Sequence, residues 1–216
     1  MNKLEKALSS FLGSSELTKR LALVLGHVCR TGRSSYSEVE IIAGDGAEDV
    51  LLLSTEWRLL LPVKSVRGTM EWADWVFLTE PGEIYEMPVV AKFMVENANQ
   101  TGEWDSHSAV TKLFREMEEP DWHQMSALVE RLRERARGRR VNAVQIKEAC
   151  DQLGLGERVD PLIAELKAGG IISPKVGSLF EVIRAGSPIY ELNPSLFVKT
   201  GGKERLGENT SPLVRS

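Results

Sequence analysis

Apolar residues recur at three- and four-residue intervals along most of this chain, and short polar or glycine-containing breaks separate the runs. Leu4, Leu8, Phe11 and Leu12 share one face of a predicted helix over 3–12 that Gly13 ends. Ser14 and Ser15 can cap a second helix over 16–30, with Leu17, Leu21, Val24, Leu25 and Val28 inward and Gly32 as its stop. A cap at Ser34 or Ser35 opens a shorter helix over 36–43. The turn Gly44-Asp45-Gly46 closes it, and a third helix starts near Ala47 with Val50, Leu53 and Trp57 inward. From Leu59 to Val63 the leucine run and Pro62 favour an extended strand, and 66–70 and 72–78 read as two more before the turn Glu80-Pro81-Gly82.

Helical spacing returns over 85–99, with Pro88 in the first turn, and again from Asp105 or Ser106 to Met117. These two helices read as a connector and dimerisation-type element, and Glu118-Glu119-Pro120 marks the boundary after it. The second half repeats the order of the first: a helix over 121–137 (Met125, Leu128, Val129 and Leu132 inward), then one over 143–153 capped by Asn142 (Val144, Ile146, Ala149, Cys150 and Leu153 inward). After the turn at 154–156 a third helix over 157–168 buries Val159, Leu162, Ile163 and Leu166 and stops at Gly169-Gly170. Strands follow at 171–172, 179–183 and 189–192. The expected fold is mainly α with small β-hairpin wings, an α+β chain of two similar units. The segments are 1–84 (N-terminal helix and first unit), 85–120 (connector), 121–198 (second unit) and 199–216 (a polar, glycine-containing flexible tail).

The stretch LIAELKAGGIISPKVGSLFEVIRAGSPIYELNP, 162–194, resembles the recognition helix and wing of winged-helix DNA-binding domains. Over 121–197 the chain is similar to archaeal-type transcription regulators and to the small C-terminal winged helix of archaeal replicative helicases. Residues 16–85 share the element order. The resemblance implies two winged helices in tandem, with DNA held by the third helix and wing. No Gly-x-x-x-x-Gly-Lys-Ser/Thr loop occurs, so no helicase motor is implied.

Composition narrows the chemistry. No apolar run approaches the roughly 20 residues that span a bilayer, and the first dozen residues lack a secretion signal, so a cytoplasmic location without membrane contact is expected. Cys29 and Cys150 read as buried free thiols, and His27, His107 and His123 lack zinc-ligand spacing. No metal, cofactor or catalytic constellation is expected, and the chain does not read as an enzyme.

Charge separates the halves: residues 1–120 hold 12 Lys+Arg against 19 Asp+Glu, whereas 121–216 are net positive by 3. A polyanion would therefore meet the second half, through Arg133, Arg137, Arg139, Arg140, Lys147, Arg158, Lys167, Lys175 and Arg184. Glu48, Asp49 and Glu56 on the first unit's third helix oppose phosphate contact and point that unit toward a protein partner or self-association. Trp72, Trp104 and Trp122 are its candidate anchors, while Trp57 and Trp75 read as core. The basic second half favours a DNA-binding accessory or transcription regulator that holds duplex DNA with weak sequence specificity. The alternative is a non-enzymatic interaction module in a larger assembly, such as a replication or chromosome-segregation complex; the acidic pI near 5.6 favours it. Partners of chromosome-segregation kleisins combine tandem winged helices with acidic chains, so architecture alone does not decide.

Overall fold

The structure, a computed structural model, describes residues 1–63, 80–175 and 186–198. Its elements run α1 (Lys3–Leu12), α2 (Glu16–Thr31), β1 (Arg33–Ser35), α3 (Tyr36–Ala43), a 3-10 turn (Gly44–Gly46), α4 (Ala47–Glu56), β2 (Leu61–Pro62) and β3 (Ile84–Glu86). The connector follows as α5 (Val89–Thr101) and α6 (Ser106–Glu116). Then come α7 (Trp122–Arg135), β4 (Arg140–Asn142), α8 (Ala143–Asp151), a 3-10 turn (Gly156–Arg158), α9 (Val159–Ala168), β5 (Ile172–Lys175), β6 (Ile189–Leu192) and a last 3-10 turn (Pro194–Phe197). Among the described residues the chain is mainly helical with two small antiparallel three-stranded sheets, ordered β1-β3-β2 and β4-β6-β5.

The two halves match residue by residue. In the first sheet Arg33, Ser34 and Ser35 face Glu86, Tyr85 and Ile84; in the second Arg140, Val141 and Asn142 face Glu191, Tyr190 and Ile189. Pro62 lies opposite Tyr85, and Pro174 lies opposite Tyr190. Ser35 caps α3 in a capping box with Glu38, and Asn142 caps α8 in one with Gln145, each pair satisfying two otherwise orphaned N–H groups. The third helices end alike: Leu59 N–H donates to Ser54 O and Ile171 N–H to Leu166 O. The residue before each carries a positive φ, 52° at Arg58 and 74° at Gly170.

One buried apolar cluster runs from Leu4 to Val198 through both halves and the connector. Each fully buried Leu or Val side chain contributes about 1.5–3 kcal/mol relative to exposure, so this shared core favours folding as one body. The halves also meet through equivalent segments. Arg58 lies 3.7 Å from Glu191, and Asn193 Nδ2 donates to Arg58 O at 3.4 Å and to Gly170 O at 3.0 Å. In return, Val90 N–H donates to Gly169 O at 3.0 Å, and Pro88 packs so closely on Gly170 that a Cβ there would fall 2.6 Å from the Pro88 Cβ. Gly169-Gly170 therefore admits the other half as well as ending α9.

Several expectations change. Tyr85 belongs to β3, and the helix expected over 85–99 starts only at Val89, because Pro88 supplies no N–H and stands at the cap. The first sheet thus extends past residue 84 into the stretch assigned to the connector. Val144 is exposed, not inward. Glu118-Glu119-Pro120 is no loose boundary, since Glu119 is buried. The strands expected at 66–70, 72–78 and 179–183, and the tail 199–216, lie outside the described residues.

Candidate interaction surfaces

The third helix of each half turns one face inward and one outward. On α4, Ala47, Val50, Leu51 and Ser54 are buried, leaving Glu48, Asp49, Leu52 and Glu56 exposed. On α9, Leu162, Ile163 and Leu166 are buried, and the exposed positions are Asp160, Pro161, Ala164 and Ala168. Counting from the matched helix ends, these exposed sets are equivalent. No cation occurs on α4, and Lys167, the one on α9, is half-buried on its flank. Neither face offers the paired donors that read base edges, and carboxylates there would repel phosphates. Ile41 on α3 is 84% exposed and Leu52 is 52% exposed, apolar groups left in water within an acidic half. Sequence reasoning passed over both. The signal available was the unbroken run Leu51-Leu52-Leu53, in which helical geometry cannot turn all three side chains inward.

The nine basic positions separate. Arg137, Arg139 and Arg140 stand exposed on a tight turn between α7 and β4, in which Arg137 N–H donates to Arg140 O at 3.0 Å and Arg140 N–H to Arg137 O at 3.2 Å. Gly138 and Arg139 both have positive φ, 58° and 64°, as a two-residue turn of this twist requires. Arg133 donates to Glu130 at 2.6 Å, and its guanidinium lies 5.5 Å over the Phe197 ring. Lys147 is held by Asp151 at 2.8 Å, one helical turn away. Arg158 turns into the protein against Glu119 and Asp121, which raises its pKa and withdraws it from any phosphate surface. Lys167 and Lys175 are half-buried, Lys175 at the end of β5 opposite Ile189. Arg184 lies outside the described residues. Arg131 and Arg135 both donate to Gln152 Oε1, at 3.0 and 2.7 Å, tying α7 to the end of α8.

Of the tryptophans proposed as anchors, Trp104 requires correction. It is 1% exposed, its indole N–H donates to Ser195 O at 3.0 Å, and Phe11 packs on its ring, so it offers no surface to a partner. Trp122, the first residue of α7, keeps 37% exposure, and Trp72 lies outside the described residues. Cys29 and Cys150 are unpaired thiols, and burial pushes Cys150 up to about 11, which leaves it almost wholly protonated at neutral pH. Among the described residues no group of three His, Cys, Asp or Glu side chains gathers to hold a metal, and no helix is long and apolar enough to cross a membrane.

Element order and sheet order thus define a mainly helical, internally repeated protein, and the exposed surfaces among its described residues include two third-helix faces and an arginine turn. A protein-family model matches residues 2–200, and the chain belongs to that family. No curated protein and no solved structure matches it.

Proposed function

We propose that the chain is a tandem winged-helix protein that works as a non-enzymatic interaction module, its third-helix faces receiving protein partners within a larger assembly. The repeated order of helix, strand, two helices and two strands supports the winged-helix reading, as do the third strands at the centre of both sheets. The observation that carries the interaction reading is the outward face of the two third helices. One is acidic around an exposed leucine, the other consists of Asp160, Pro161 and two alanines, and neither presents a cation. A reducing compartment such as the cytoplasm suits two unpaired thiols. Placing a photo-crosslinking amino acid at Leu52, Ala164 and, as a control, Lys19 in the intact cell tests this reading. The first two positions are expected to give discrete protein adducts that the control does not. Adducts to nucleic acid, or none beyond the control pattern, would overturn it.

A second reading rests on the arginine turn. Arg139 on the exposed two-residue hairpin turn and Arg137 and Arg140 flanking it gather three arginines in one place, the arrangement that neutralises phosphates without reading sequence. On this reading duplex DNA is held weakly and at low salt. Each lost phosphate contact flattens the dependence of log K on log salt by about 0.9, so Arg137→Ala with Arg140→Ala removes up to roughly two units of slope.

A further inference from the structure

Away from these faces, a polar cluster fills the seam between the connector and α9. The turn 117–121 between α6 and α7 carries Glu119 and Asp121, and the Glu119 side chain has no exposed surface. Arg158, from the 3-10 turn before α9, closes on it from one side. Its Nη1 donates to Glu119 Oε1 and, at 2.9 Å, to Asp121 Oδ2, while Nη2 donates to Glu119 Oε2 at 2.8 Å. The Asp121 backbone N–H adds a bond to Glu119 Oε1 at 3.1 Å. From the other side, the Glu165 carboxyl on α9 meets that of Glu119 in hydrogen-bond contact. Glu165 Oε2 is buried and reaches no donor among the described residues.

Two ionised carboxylates are acceptors only, so contact between them is a hydrogen bond only when one carries a proton. The single charge of Arg158 is already divided between Glu119 and Asp121, so it offsets an ionised Glu165 only in part. The charged groups that face this contact are Glu119 and Asp121 from the turn, Arg158 from the 3-10 turn and Glu165 from α9.

We propose that Glu119 and Glu165 hold one shared proton that fastens the turn 117–121 to α9, and that losing it loosens this contact while Arg158 keeps its hold on Glu119 and Asp121. Burial, then the hydrogen bond and charge of Glu119, push Glu165 up to about 7. At Glu119 burial acts in the same direction, but hydrogen bonds with Arg158 and Glu165 outweigh it and hold this carboxyl below the usual carboxylate range. The proton therefore resides on Glu165. Because its folded pKa lies above the ordinary glutamate value of about 4.3, the stabilisation is complete below that value and disappears as pH rises through about 7. Four carboxylate oxygens then face one guanidinium at Glu119 and Glu165, with Asp121 beside them. Glu165 lies one helical turn before Gly169, whose carbonyl accepts from Val90 of the connector.

Carbon-13 NMR of the full chain with labelled glutamate is expected to show one carboxyl titrating near pH 7, absent in Glu165→Gln. The Gln amide donates to Glu119 at every pH, so the melting temperature of Glu165→Gln should stay level between about pH 6 and pH 8, while that of the wild type falls. Exchange of the Asp121 and Trp122 amides, corrected for its intrinsic pH dependence, should accelerate over the same interval in the wild type alone. Titration of every glutamate below about pH 5.5 would overturn the proposal, as would an equal decline in both proteins. The wild-type titration decides by itself if the variant does not fold.

Discussion

Trp104 joins distant stretches of chain with one side chain. Phe11 of α1 packs on its ring, and its indole N–H reaches Ser195, 91 residues on, in the last turn of the second half. Trp104→Ala should cost about 3–5 kcal/mol in urea unfolding, whereas Trp104→Phe keeps most of the packing and isolates the hydrogen bond. A loss below about 1 kcal/mol for the alanine variant would mean that the indole is not buried as described. The aromatic character of this position was legible in the sequence, but its burial was not, because the groups that cover it are remote along the chain. Arg158 teaches the same point with charge. Its type suited phosphate contact, and nothing local to residues 156–160 announces that Glu119 and Asp121, 39 and 37 residues earlier, will take it.

At the scale of elements, local signals served well wherever one residue both caps and positions a helix. Ser35 and Asn142 were recognisable as caps, and each makes a capping box at the equivalent point of its half. Replacing either by Ala should lower stability by about 1 kcal/mol. The sequence was least legible at β3, a three-residue strand that runs almost directly into α5, so that period-two and helical spacing overlap at Tyr85. The available signal was the tripeptide Ile-Tyr-Glu, which occurs at 84–86 and again at 189–191 and forms the central strand of both sheets. The third helices were legible in their buried faces and only partly in their exposed ones. Leu52 and Ala164 hold equivalent places whose exposure depends on which leucine of a run the core accepts.

The whole molecule is held by a core that passes through both halves and by reciprocal contacts at Arg58 and Gly169-Gly170. Heating should therefore give one transition, and Ser35→Ala and Asn142→Ala should lower the same midpoint; two separable transitions, each sensitive to one cap, would mean independent halves. This joining was not legible in a sequence that reads as two units with a boundary at Glu118-Glu119-Pro120, because it depends on glycines that admit the opposite half. It also sets which faces remain open to partners, and those faces hold the functional proposal. The decisive measurement is an anisotropy titration of labelled duplex DNA with the intact protein at low salt, comparing Ala164→Asp/Ala168→Asp with Arg137→Ala/Arg140→Ala. If the third-helix faces serve protein partners, the aspartates leave DNA affinity and salt slope as in the wild type, and only the arginine pair changes them. Loss of DNA binding in the aspartate variant, with its melting temperature unchanged, would place α9 in the groove and contradict the proposal.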